Sequence, residues 1–158
     1  MSPLNDRIAP RRPSTIEELD ALTGVELGPT AGCIVDQQRI DEFAAATGDS
    51  QWIHTDVERA TAELGSTIAH GMLTLSLGVK FLAELISFDG FERTINYGFE
   101  KVRFPETVPV GSELSMRAVI THVAVVDGGA QAAITQTIER PDAAKPVCVA
   151  QALARFYL

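Results

Sequence analysis

The sequence is poor in cysteine and has no long uninterrupted run of apolar residues. Its two cysteines, Cys33 and Cys148, lie far apart with no second thiol beside either, which excludes the paired spacing of a zinc site. Both lie among apolar residues, so we expect buried, reduced thiols and a cytoplasmic protein. The first residues contain no apolar stretch typical of a signal peptide. The most apolar segment, 72–86, is interrupted by Lys80 and Glu84, and no membrane span is predicted.

Positive charge is also scarce, and repeats and low-complexity tracts are absent. The 13 Lys and Arg are outnumbered by 21 Asp and Glu, for a net charge of −8. This balance argues against nucleic acid or an anionic membrane as the main partner, although a local basic pocket for a phosphorylated ligand remains open. With 158 residues, 46% of them hydrophobic, the chain fits one domain with its own core. We expect a flexible leader over residues 1–13 and a folded domain over 14–158.

The first half of the chain contains residues that typically begin and end short helices. Asp36 is suited to cap a helix that ends at Gly48. Thr55 and Glu58 have the spacing of a capping box, and the helix they open should run to Gly65. Residues 48–54 are therefore a short connection between two helices.

The second half predicts one buried helix followed by strands. Apolar residues cover most of the helical wheel over 71–86, as expected for a helix that a sheet surrounds. Alternating patterns and turn signals then predict an antiparallel α+β protein. The predicted strands, with a change of phase near Glu100 in the first, are 95–104, 114–126, 130–139 and 147–158.

Asp49 and His54 lie five positions apart on the short connection formed by residues 48–54. A carboxyl and an imidazole held around one small volume can handle a proton and a water molecule together. The alternative is that Asp49 caps a turn and His54 is an ordinary helix-entry residue, and the spacing alone does not decide between them.

His70 and Gly71 stand at the start of the apolar helix. Free N–H groups at a helix N-terminus suit a carbonyl oxygen that gains negative charge, and Gly71 allows a ligand to approach the backbone. His70 is a candidate substrate-binding or catalytic residue. The alternatives are a structural histidine at this position and a glycine required for packing at Gly71. His122 lies in mid-strand without a polar companion and is interpreted as incidental.

Four stretches follow one another in a set order, at 43–60, 68–75, 96–105 and 109–111. Together they resemble the hydratase-2 motif, the helix entrance and the later strands of the MaoC-like dehydratases. The Gln51-Trp52 pair before Ile53 and His54 resembles the NodN-like branch and related mycobacterial (R)-specific enoyl-CoA hydratases. The similarity extends over roughly residues 14–158.

The resemblance implies a hot-dog fold, in which an antiparallel sheet wraps around the helix at 71–86. It implies a homodimer with sites near the subunit interface, and reversible addition of water to a trans-2-enoyl-CoA to give an (R)-3-hydroxyacyl-CoA. By position, His54 would activate the water, the Asp49 side would protonate C2, and the Gly71 N–H would polarise the thioester carbonyl. Neither a metal nor a separate cofactor is expected, because the coenzyme A thioester is the substrate.

The sequence departs from the common family motif at two positions. Gln51 and Trp52 replace an Asn-Pro pair, so Gln51 keeps an amide with a longer reach and Trp52 lacks the fixed φ of proline. Trp52 is either a pocket wall or ordinary packing. Lys101 and Arg103 are candidates for the coenzyme phosphates, with solvated strand cations as the alternative.

Three other functions remain possible at this stage. A hot-dog thioesterase would share the fold, and a non-catalytic acyl-thioester binder or partner subunit would share the binding surface. The paired Asp49 and His54 argue against both. The NodN resemblance also leaves open a role in making a modified signal or a polyketide.

Overall fold

The structure, a computed structural model, describes residues 9–158 and places a layer of helices against one antiparallel sheet. Within these residues no helix is long and apolar enough to cross a membrane. The helices, in chain order, are α1 (Ile16–Asp20), α2 (Gln37–Thr47), α3 (Trp52–Thr55), α4 (Val57–Leu64) and α5 (Gly71–Leu85). The strands are β1 (Glu26–Leu27), β2 (Cys33–Val35), β3 (Arg93–Arg103), β4 (Ser112–Val126), β5 (Gly129–Glu139) and β6 (Cys148–Tyr157).

The sheet has the strand order β1-β4-β5-β6-β3, and β2 pairs separately with β4. The predicted antiparallel α+β architecture is therefore confirmed. The first long strand, β3, pairs with the last, β6, so that it forms one edge of the sheet instead of lying beside β4. Its register shifts between Phe99 and Lys101, where the sequence pattern changes phase near Glu100.

The apolar helix α5 lies against the inner face of this sheet and supplies much of the core. Phe81 is fully buried, and so are inward residues of the long strands such as Ile120 and Phe156. Gly78 allows close packing, since a Cβ there would lie 2.6 Å from the Gln136 side-chain oxygen. The helix is not buried all round, although its apolar circumference predicted this: Met72 and Val79 are both more than half exposed on its outer face.

The predicted helices begin and end at the expected residues, except that one helix has a different N-cap. Asp36 caps α2, and Gly48 ends it with a φ of 77°. The helix predicted to begin with a Thr55 cap is instead capped by Asp56, whose side chain accepts from the Arg59 N–H. Thr55 belongs to the short α3, and its hydroxyl donates to the carbonyls of Ser50 and Gln51 instead.

The start of the described chain is attached to α5, and the two cysteines lie in strands β2 and β6. Of the predicted leader, residues 1–8 lie outside the described part of the chain, whereas Arg11 exchanges backbone hydrogen bonds with Leu85 and Ser87. Residues near Arg11 are thereby tied to the end of α5. Both cysteines are buried free thiols, and burial raises the pKa of Cys148 to about 11.

Candidate active site

The connection after α2 folds back so that Asp49 and His54 face one small volume. Gly48 reverses the chain, Asp49 follows it half-buried, and α3 then carries His54 into the interior, where only 6% of its surface is exposed. The amide of Gln37, in the first turn of α2, donates to the His54 carbonyl over 2.8 Å. Thr67 in turn donates to the Gln37 side-chain oxygen, so the amide that binds the His54 carbonyl is itself held in place.

A backbone carbonyl determines which nitrogen of His54 carries the proton. Nδ1 of His54 lies 2.7 Å from the carbonyl oxygen of Ile68. A carbonyl can only accept, so Nδ1 must donate, and in the neutral ring Nε2 is the unprotonated nitrogen. His54 therefore presents a lone pair at Nε2, the form that a general base requires.

His70 lies directly against His54 and is almost completely buried, with 2% of its surface exposed. The two rings are stacked, with centroids 3.8 Å apart and planes 26° apart. Nε2 of His70 lies 2.8 Å from the backbone oxygen of Asp49 and must donate to it. Its other nitrogen, Nδ1, is buried without a hydrogen-bond partner among the described residues.

Asp49, His54 and His70 each offer one possible metal-ligand atom within 4.8 Å of the others. Two stacked rings only 26° apart have planes that meet far beyond a metal–nitrogen bond of about 2.1 Å. Their in-plane lone pairs do not converge on one point. The cluster is therefore better suited to moving a proton than to sharing a cation.

The N-terminus of α5 lies next to this cluster, because its first residue, Gly71, follows His70. The first N–H bonded within the helix is that of Thr74, to the His70 carbonyl, so the Gly71 N–H is not used inside the helix. The ring of Phe104 covers Gly71, where a Cβ would lie 3.1 Å from it. A glycine thus fits the close approach of an aromatic ring to the helix start.

Most of the chain is similar to one known protein family. Residues 14–140 match the family described as MaoC like domain. The chain belongs to the MaoC-like family. This family of dehydratases and hydratases has the hot-dog fold, so the resemblance and fold expected from the motifs are confirmed.

Curated relatives and a solved structure agree with this membership. The chain is 42% identical over 146 residues to 3-hydroxyacyl-thioester dehydratase Z of Mycobacterium tuberculosis, covering 90% of this chain and 95% of the relative. It is 37% identical over 153 residues to Nodulation protein N of Rhizobium meliloti, covering 90% and 92%. The fold is similar to that of R-hydratase PhaJ1 from Pseudomonas aeruginosa, with a TM-score of 0.72, 22% identity, and coverage of 90% and 85%.

In this MaoC-like chain, the other residues singled out from the sequence are distributed around the cluster. Gln51 is exposed, and its amide lies 3.5 Å from Asp49 Oδ1. Trp52 is half-buried beneath the guanidinium of Arg59, 4.0 Å from the ring centroid, which gives this side chain a packing partner.

Lys101 and Arg103 are not brought to the imidazole pair. Both are exposed on β3, and Arg103 donates to the adjacent Val102 carbonyl. Within residues 9–158 neither side chain bonds to Asp49, His54 or His70. Arg103 is nonetheless the neighbour of Phe104, whose ring covers the start of α5.

Three contacts of the site were not identified as functional from the sequence. The Ile68 carbonyl binds His54, the Gln37 amide binds its backbone, and the Phe43 ring packs 5.0 Å from that of His70. Every residue carries a backbone carbonyl, so the amino-acid type at position 68 does not indicate this contact. Phe43 occupies an apolar helix position, which predicts core packing and does not distinguish a wall of the site.

Proposed function

We propose that this protein is an (R)-specific enoyl-CoA hydratase, which adds water reversibly to a trans-2-enoyl-CoA to give an (R)-3-hydroxyacyl-CoA. The observation that carries the proposal is the lone pair on Nε2 of His54 beside the Asp49 carboxyl group, next to the start of α5. The printed name of the mycobacterial relative, a 3-hydroxyacyl-thioester dehydratase, supports the same substrate chemistry.

The two side chains divide the addition of water between them. Nε2 of His54 accepts a proton from water as the water oxygen bonds to C3 of the enoyl group. The electron pair of the C2–C3 double bond moves toward the thioester. C2 receives the proton that the Asp49 carboxyl group carries at the start of the cycle, which leaves Asp49 as a carboxylate. One water molecule is added in total, and a final proton transfer from His54 to Asp49 restores both groups. This sequence requires neither a metal ion nor a redox cofactor.

The start of α5 stabilises the charge that develops on the thioester oxygen. The unused N–H of Gly71, reinforced by the helix dipole, donates to the carbonyl as it becomes an enolate. One such donor typically lowers the activation barrier by about 3–4 kcal/mol. Gln51, whose amide lies 3.5 Å from Asp49 Oδ1, and the adjacent Trp52 are proposed to contact the substrate. Lys101 and Arg103 are proposed to attract the coenzyme phosphates.

We also propose that two copies pair through β3 to form a homodimer. β3 is an edge strand whose outer side is unpaired in the described chain, and long edges of this kind tend to associate. Large apolar side chains are exposed along it and near the start of α5, which is unusual for a surface that faces only water. They are Ile95, Tyr97, Phe99, Phe104 and Met72.

The test is the hydration of crotonyl-CoA by the purified protein, followed as loss of the enoyl-thioester absorbance. Product chirality is read with an (R)-specific 3-hydroxyacyl-CoA dehydrogenase coupled to NAD reduction. Hydration to the (R) product over several chain lengths is the expected result. Release of free coenzyme A thiol without hydration would instead identify a thioesterase, and saturable binding without turnover would identify a partner subunit or binder.

A further inference from the structure

His70 contacts both residues of the proposed catalytic pair, although it lies before α5 and not on the connection that carries them. It donates to the backbone oxygen of Asp49 over 2.8 Å and stacks on the ring of His54 at 3.8 Å. Only 2% of its surface is exposed, its Nε2 is bonded to Asp49, and the rings of His54 and Phe43 pack against it. These contacts leave little of the side chain to meet a substrate. Substrate binding by His70 stays a prediction from the sequence, and these contacts favour a role beneath the site.

The bond from His70 to Asp49 holds a segment that has few other hydrogen bonds of its own. Asp49 follows the left-handed Gly48 and precedes α3, a helix of only four residues. Its N–H is bonded only weakly, 3.4 Å from the Thr47 hydroxyl. The bond from His70 is the short contact that fixes the peptide after Asp49, and with it the direction in which the carboxylate leaves the backbone.

The stack acts on the second side chain. His54 Nδ1 is fixed by the Ile68 carbonyl, but one hydrogen bond leaves the ring free to rock about that axis. His70 covers one face of the ring, and Phe43 backs His70 in turn at 5.0 Å. The lone pair at Nε2 is thereby restricted to one direction, which matters because a misplacement of about 1 Å can cost a reaction about 100-fold.

We propose that His70 is a positioning residue that orients Asp49 through its Nε2–H and His54 through its ring. The inference rests on the proposed hydratase function. Its orphaned Nδ1 is consistent with this assignment, because the contact that matters uses the opposite nitrogen and the ring face. The buried, unpaired atom is the cost of placing an imidazole where both contacts can form.

Two substitutions separate the contacts. His70→Gln places an amide N–H near the position of Nε2 and retains the bond to Asp49, but it removes the stack. His70→Phe retains an aromatic ring against His54 and removes the donor. The matched controls are the same changes at His122, an exposed histidine on β4.

Kinetics with crotonyl-CoA should show a loss in kcat of about 10- to 100-fold for His70→Phe, with KM within about twofold of wild type. His70→Gln should retain more activity than His70→Phe, and the His122 variants should match wild type. A rise in KM at unchanged kcat would overturn the proposal in favour of substrate binding. Wild-type kcat in both His70 variants, or a more active His70→Phe than His70→Gln, would also overturn it.

Hydrogen–deuterium exchange of the segment 48–54 tests the bond to Asp49 without any substrate. Exchange should accelerate in His70→Phe and remain near wild type in His70→Gln. Unchanged exchange in His70→Phe would refute the positioning role even in an active enzyme. An inactive wild type with the expected exchange pattern would refute the hydratase and leave the structural tie intact. If His70→Phe fails to fold, the comparison of His70→Gln with His122→Gln still decides whether kcat or KM changes.

Discussion

Nδ1 of His54 lies 2.7 Å from the carbonyl oxygen of Ile68, and this one contact determines the chemical form of the imidazole. Because the carbonyl accepts, the opposite nitrogen is left with a lone pair. The proposed base is thus prepared by the backbone before any substrate arrives. A fixed tautomer of this kind favours general-base catalysis, because the lone pair is present and points in one direction.

Loss of either member of the proposed pair should remove hydration while the protein remains folded. Asp49→Asn keeps the size of the side chain but cannot deliver a proton as a carboxyl does, and His54→Ala removes the base. Each should lower kcat by about 10²–10⁴-fold with crotonyl-CoA. His122→Ala is the control and should retain full rate. Full activity in either pair variant would contradict the mechanism.

The role of the Gly71 N–H can be isolated by comparing two substitutions that both add a Cβ. Proline is tolerated at the first position of a helix, and the preceding His70 already has the extended ψ of 139° that proline requires. Gly71→Pro therefore removes the N–H, whereas Gly71→Ala retains it and presses equally on Phe104. We expect kcat of Gly71→Pro to fall roughly 10²–10³-fold below that of Gly71→Ala. Equal rates in the two variants would exclude the N–H donor.

The proposed dimer should depend on the apolar edge strand. Phe99, 46% exposed on β3, and Val125, 78% exposed near the end of β4, are both large surface apolar residues. Phe99→Lys should convert the protein to a monomer in light scattering, because it places a charge in the proposed interface. Val125→Lys should leave the assembly unchanged. Dissociation by both changes, or by neither, would argue against an interface through β3.

The stability of the protein should fall at alkaline pH because of Cys148. Its pKa is raised from 9.0 to about 11 by burial, so the folded state favours the neutral thiol. The unfolded thiol ionises first, and the stability contributed by the neutral group is lost as the pH rises from about 9 to 11. Urea unfolding across this range should show a shallower decline for Cys148→Ala than for wild type. Parallel curves would contradict this assignment.

Much of the fold could be predicted because local signals and burial agree. The apolar circumference over 71–86 predicted α5, and the glycines at 48 and 65 ended their helices as expected. The cap of α4 was misplaced by one residue. Thr55 and Asp56 are both good capping residues, and the bond of Thr55 to the chain before it decides between them.

The site was harder to predict, since its members meet through tertiary contacts. The spacing of Asp49 and His54 indicated a pair, and the family resemblance strengthened it. The stack of His70 on His54 joins residues 16 positions apart, and no periodic pattern encodes such a contact. The position of β3 beside β6 likewise depends on packing of the whole sheet and not on the order of strands in the chain.

The polar framework of the site is built to a large extent from peptide groups. Ile68 offers its carbonyl to His54 and its N–H to the Ile53 carbonyl, while the Asp49 carbonyl receives His70. These bonds are indifferent to the side chain carried by Ile68. The residues around the site can therefore differ without changing the peptide groups that hold the two imidazoles, and the tautomer of the proposed base does not depend on the side chain at position 68.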